Sequence, residues 1–163
     1  DLARPFADQF DVGVVVCQRS GSDCTVLDAS NVPQTLDIAA GTALPLRESL
    51  IGLVQAIEDS VVDIEDTVEY DLDSVTASLD TDGYAVGKLA TDISIDCIAV
   101  PIADRDDACR GSVGVLLPKN YVDQRLQQLC EASSSLRTRI EDRFQAGWTA
   151  ERSFATEKHS WIG

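Results

Sequence analysis

Five cysteines and one histidine are the side chains of this 163-residue chain with the most reactive chemistry to offer. Their spacing removes most of it. Cys17, Cys24, Cys97, Cys109 and Cys130 form no C-x-x-C pair and no Cys/His spacing suited to zinc. An odd count without a framework points to free thiols in a reducing compartment. The single histidine, His159, lies in a polar C-terminal stretch. A nucleophilic cysteine needs a base beside it, and here the sequence supplies only carboxylates. There is no glycine-rich phosphate loop, no G-x-S-x-G elbow and no H-E-x-x-H. The expectation is a protein with no catalytic residues, no metal site and no cofactor.

The elements that would carry a binding site are clearer. Residues 12–19, VGVVVCQR, are rich in β-branched side chains and end at the turn 20–23, after which CTVLDAS resumes a strand pattern, the signature of a hairpin. TLDIAA, residues 35–40, is predicted as a third extended piece. Leu46, Leu50, Leu53, Val54, Ile57 and Val61 then recur at spacings of three and four, one apolar helical face. Asp71 is a candidate N-cap for a helix carrying Leu72, Val75 and Leu79 inward and closed by Gly83. YAVGKL, CIAVPIAD and GSVGVLLP read as strands, the last two paired across the charged loop RDDACR. From Tyr121 to about Phe144 the stripe Val122, Leu126, Leu129, Leu136, Ile140 and Phe144 predicts a long amphipathic helix that packs across a sheet, with a purely intermolecular helix as the alternative. The period dissolves after Gly147. Hairpin-paired strands with helices between and after them predict an α+β domain whose antiparallel sheet is covered by helices.

Charge is the loudest compositional feature: 28 acidic residues against 13 basic ones, net −15. The acids are spread along the chain, as on a folded surface. Aspartate dominates over glutamate and arginine over lysine, and such a surface repels itself unless salt screens it over about 3 Å at 1 M. The expectation is a halophilic cytosol, with an acidic mesophilic protein as the alternative. A surface of this sign also repels phosphate backbones, so direct nucleic-acid contact by these residues is not expected. The longest apolar runs fall far short of the roughly 20 residues that cross a bilayer, and no leader opens the sequence, so neither membrane nor export is expected. Cytoplasmic residence is.

Three segments, in order, resemble the effector-binding domain of IclR-family transcription regulators. ALPLRESLIGLVQAI, residues 43–57, is similar to the family's L-P-L-H-A-T-A-L-G stretch at Leu44, Pro45, Leu46 and Gly52, with Arg47 where histidine is common. GYAVGKLATDISIDCIAVPI, residues 83–102, matches the family's G-Y-A-V followed by C-[IV]-A-A-P at Gly83, Tyr84, Ala85, Val86, Cys97, Ala99 and Pro101, without a gap. The hairpin from Pro101 to Pro118 fits in length, with Gly111 and Pro118 in place. The resemblance implies a GAF-like, mainly antiparallel sheet covered by helices and holding a small metabolite in a cup. It also implies self-association as a dimer or tetramer, and DNA binding only through a separate N-terminal winged helix-turn-helix domain, absent from this chain. On that layout residues 1–10 end a linker helix, 11–146 form the effector domain, and 147–163 are a tail of no assigned role.

What the resemblance implies for the site is a set of nine positions. Cys97 would face the ligand from its strand; read from the residue alone, it is equally a buried structural thiol. Leu36, Leu44, Leu50 and Ile95 would line the cup, although each also suits an ordinary core. Arg47 could read a carboxylate bidentately at a helix start, or pair with Glu48 or Asp59. Gly87 stands where some family members carry an acidic contact. Gly114 and Leu116 stand where the family's S-x-S supplies two hydroxyls to an anionic ligand, which predicts a more apolar effector or a closed cup that takes none. That last possibility makes the domain an adaptor that binds a partner through its surface.

Overall fold

The β-branched run near the start of the chain becomes a strand, and its partners set the architecture. The computed structural model describes residues 3–20, 23–46, 48–58, 70–103 and 109–157, and of residues 20 and 144–157 the backbone only. Arg47, the acidic segment 59–69, the loop 104–108 and His159 lie outside the described residues. Strands β1 (Gly13–Ser20), β2 (Asp23–Ser30), β3 (Ala43–Pro45), β4 (Ala85–Ala90), β5 (Ile93–Ala103) and β6 (Cys109–Leu116) form one six-stranded sheet in the order β3-β2-β1-β6-β5-β4. Every neighbouring pair is antiparallel. Val14 lies opposite Val115, and Cys97 opposite Leu116 on the same strand β6, so the three segments singled out by sequence do lie together.

Period-two alternation divides the core between the two faces of this sheet. Cys97 and Ala99 turn to one face with Val15, Cys17, Cys24 and Leu116; Ile98, Val100 and Ile102 turn to the other with Val14, Val113 and Val115. Helices α2 (Leu50–Glu58) and α3 (Leu72–Asp82) cover the first face, and α1 (Ala3–Phe10) and α4 (Asp123–Glu157) the second. Each fully buried leucine, isoleucine or phenylalanine contributes about 1.5–3 kcal/mol to this packing.

The helix ends follow side-chain chemistry. Asp71 caps α3 by accepting from the Ser74 amide at 3.2 Å, and Gly83 ends it at φ 80°. At the end of α1, Asp11 takes φ 52° and the Val12 amide reaches back to the Ala7 carbonyl at 3.1 Å, a left-handed stop that turns the chain into β1. The Arg125 guanidinium of α4 donates to the Phe10 carbonyl, tying the two outer helices together. Phe6 and Ala7 are buried in this layer, so the segment assigned to a linker is packed on the sheet.

Four expectations are corrected. TLDIAA is not extended: Gln34–Leu36 form a 3-10 turn after Pro33, and Asp37 at φ 55° breaks any strand. The third extended piece is Ala43–Pro45 instead. The helix expected from Leu46 begins at Leu50, because Ser49 caps it, its hydroxyl accepting from the Gly52 amide at 3.1 Å and donating to the Pro45 carbonyl at 2.8 Å. In α4 the stripe Leu129, Leu136 and Ile140 is buried, but Val122 precedes the helix and is 65% exposed. The helical backbone also runs on past residue 147 to Glu157, at about 1.5 Å per residue some 50 Å in all.

Candidate ligand-binding groove

Whether the sheet forms a cup depends on what α2 does to the face beneath it. Leu50, Ile51, Gly52, Leu53, Val54, Gln55 and Ala56 are all buried, so the helix is sunk into that face rather than arched over it. Gly52 allows the approach: a methyl group there would meet the Leu46 Cα at 2.7 Å. Two buried hydrogen bonds fix the register. Gln55 Nε2 donates to Ser112 Oγ at 2.7 Å, and Ser112 Oγ donates to the Ile51 carbonyl at 2.6 Å.

Ile51 occupies the space above β6. A Cβ on Gly114 would stand 2.4 Å from Ile51 Cδ1, and one on Gly87 would stand 3.5 Å from Leu50 Cδ2. Of the nine positions implied by the family likeness, Cys97, Leu44 and Leu50 are buried in this packed region and Gly87 and Gly114 lie against it. Cys97 is 0% exposed, and burial, aided by the neighbouring Asp96 charge, pushes its thiol well above the ordinary range. It is a protonated core thiol, unsuited to nucleophilic chemistry. Cys17 and Cys24 share a thiol hydrogen bond on the same face; it raises Cys17, as burial does, and lowers Cys24 against the opposing effect of burial. Among the described residues no group of three or more His, Cys, Asp or Glu side chains is placed to hold a metal ion.

Among the described residues an open space lies at one end of the sheet, where β1 begins, β2 ends, β5 begins and β6 ends. There a groove of about 960 Å³ is walled by the 3-10 turn on one side and the start of β5 on the other. This is within the range of small-molecule sites. Three of the nine positions, Leu36, Ile95 and Leu116, line it, and with Ile93 they make its apolar wall, continuous with the core under α2. Arg47 lies outside the described residues.

The lining has a polar part as well. Asp11, Asp92, Asp96, Lys119 and Tyr121 line it. The Tyr121 hydroxyl donates to Asp96 Oδ2 at 2.9 Å, while the Leu117 amide donates to the Asp96 carbonyl at 2.8 Å, so the turn after β6 is pinned to β5. The bond to the Asp96 carboxylate raises the Tyr121 phenol above its ordinary value. Sequence reasoning missed these polar residues. The one local signal is conformational: Asp11, Asn31 and Asn120, all on the groove, take φ between 52° and 62°, a region that Asp and Asn tolerate best among residues with a side chain.

Solved structures share this fold. The C-terminal domain of the E. coli transcriptional regulator KdgR matches with a TM-score of 0.69 at 18% identity, over 88% of this chain and 94% of that one. The IclR of Thermotoga maritima matches at 0.70 and 15% identity, over 89% of this chain and 66% of that one. The Agobacterium tumefaciens repressor BlcR matches at 0.66 and 15% identity, over 89% and 67%. The chain thus spans about two thirds of the length of the two longer proteins. No family model matches the sequence, and no curated protein matches it.

Proposed function

We propose that this chain is the ligand-sensing domain of an IclR-like transcription regulator, binding a small metabolite in the groove at the end of the sheet. The observation that carries the reading is the groove itself. It is a concave, half-apolar space on a fold shared with regulator domains, lined by Leu36, Ile95 and Leu116, three positions that the family likeness assigns to effector contact. The site lies where β1, β2, β5 and β6 end, so a ligand that ties the 3-10 turn to the start of β5 changes the rim of the domain and can pass that change to attached partners. DNA contact belongs to a separate N-terminal domain, self-association to a dimer or tetramer, and the setting to the cytoplasm of a salt-adapted cell. No described helix is long and apolar enough to cross a membrane.

One observation favours a second reading. Ile51 fills the space above Gly114, so among the described residues the face beneath α2 is packed at that point, as expected of an adaptor with no small-molecule effector. A thermal-shift screen with central-carbon acids, aromatic acids and their amine analogues decides between the two. A sensor gains about 2.7 kcal/mol of stability from a ligand at a hundredfold its Kd, several degrees in midpoint for a domain of this size. An adaptor gains nothing from any compound.

A further inference from the structure

The groove is chemically divided, and the division says what kind of molecule fits it. Strand alternation at the start of β5 turns Ile93 and Ile95 toward the apolar core under α2, and Ser94 and Asp96 the other way, with Asp92 in the turn just before. In β6 and the turn after it, Leu116 faces that same core, while Tyr121 packs on the other face of the sheet and gives its hydroxyl to Asp96. The lining thus joins hydrocarbon to three acidic residues, Asp11, Asp92 and Asp96, against a single lysine, Lys119.

Among the described residues none of the three carboxylates makes an ion pair, and Asp96 accepts a side-chain hydrogen bond at Oδ2 only, from Tyr121. An anionic ligand entering here meets like charge at close range, on a chain whose net charge is −15. A cation is drawn to the same place by both. Leu116 adds its isobutyl group to the hydrocarbon part of the lining.

Resting on the reading of the groove as the effector site, we infer that it takes a cationic molecule, an amine joined to a compact apolar body, with the body against Leu36, Ile95 and Leu116 and the ammonium toward Asp92 and Asp96. The charge on the ligand selects, and the hydrocarbon holds.

The test is calorimetric titration of the whole chain, at fixed moderate KCl, with three probes of one shape: phenethylamine, 2-phenylethanol and phenylacetate. The expected order is amine tightest, about tenfold over the alcohol, with the acid weaker than both. Asp92→Asn and Asp96→Asn each weaken the amine severalfold and leave the alcohol unchanged, a result that a merely structural role for these residues would not give. Their melting curves at 2 M KCl confirm that the variants fold. Phenylacetate binding as tightly as the amine, in a manner sensitive to Ile95→Ala, overturns the cationic preference and leaves the groove as the effector site. No binding by any of the three, together with none in the broader screen, removes the groove as a ligand site and this inference with it.

Discussion

The space under α2 and the groove at the end of the sheet lie on one continuous apolar surface, yet one is filled and the other open. Under α2 seven consecutive residues are buried and two glycines, Gly52 and Gly114, let backbone and Ile51 close in. At the sheet end the apolar wall stops at Leu36, Ile95 and Leu116, and turns made of Asp, Asn and Pro take over. Close packing needs regular elements facing each other at short range, and strand ends joined by turns cannot provide that. The difference assigns stability to the first region and leaves the second open to the ligand proposed above.

The largest expected contrast is in truncation. Leu50→Ala, in the fully buried helix, should cost about 2–5 kcal/mol and leave a cavity, whereas Leu36→Ala on the groove wall should cost under about 1 kcal/mol. Urea denaturation in high salt measures both; equal costs would erase the distinction. Next in size is overpacking. Gly114→Ala forces a methyl group into Ile51 and should cost about 1–3 kcal/mol, and pairing it with Ile51→Val should cost less than the sum of the two changes. Additive costs in that double-mutant cycle would mean that Ile51 does not fill the site.

How far the sequence carries can be judged from these same regions. The strands around Val14, Cys97 and Val115 are legible because β-branched runs bounded by turn residues have one good solution. The caps at Asp71 and Gly83 are legible because the chemistry is local. TLDIAA misleads because alternation alone looks like a strand, while the left-handed backbone at Asp37 leaves no trace in the pattern. The closure at Gly114 is a matter of which α2 side chain lies above it, a contact between residues 63 positions apart, so the family likeness offers Cys97 as a ligand contact where the structure buries it. The polar part of the lining is illegible for another reason: Asp11, Asp92 and Asp96 meet only through the strand order, and no motif joins them.

Charge separates the two regions further. The space under α2 is apolar, and the net charge of −15 is carried elsewhere. Screening should therefore raise the melting midpoint between 0.1 M and 2 M KCl by several degrees, more than about 1 kcal/mol, while the cost of Leu50→Ala stays the same at both salts. An unchanged or lowered midpoint would remove the case for a salt-adapted protein.

The smallest effect is a pH dependence. The Asp96 carboxylate raises the Tyr121 phenol, and burial, with a hydrogen bond to Cys130, pushes Tyr84 up to about 12 from its ordinary 10.0. Groups whose folded pKa lies above the unfolded one contribute stability that is complete below the unfolded value and lost as pH rises through the folded one. The buried thiols of Cys97 and Cys109 are raised from 9.0 as well, so stability should fall from about pH 9 to pH 12, and above about pH 10 Tyr84→Phe should flatten the fall more than Tyr121→Phe. A fall equally steep in both variants would assign it to other groups.

The most direct test of the division between filled face and open groove is a methyl-resolved NMR titration of the whole chain in high salt, with the ligand that emerges from the screen or with phenethylamine. The account predicts saturable shifts at Leu36, Ile95 and Leu116, with Leu50, Ile51 and Leu53 unmoved. Shifts centred on Leu50 and Ile51, with the groove methyls silent, would place the ligand under α2 beside Cys97 and contradict it.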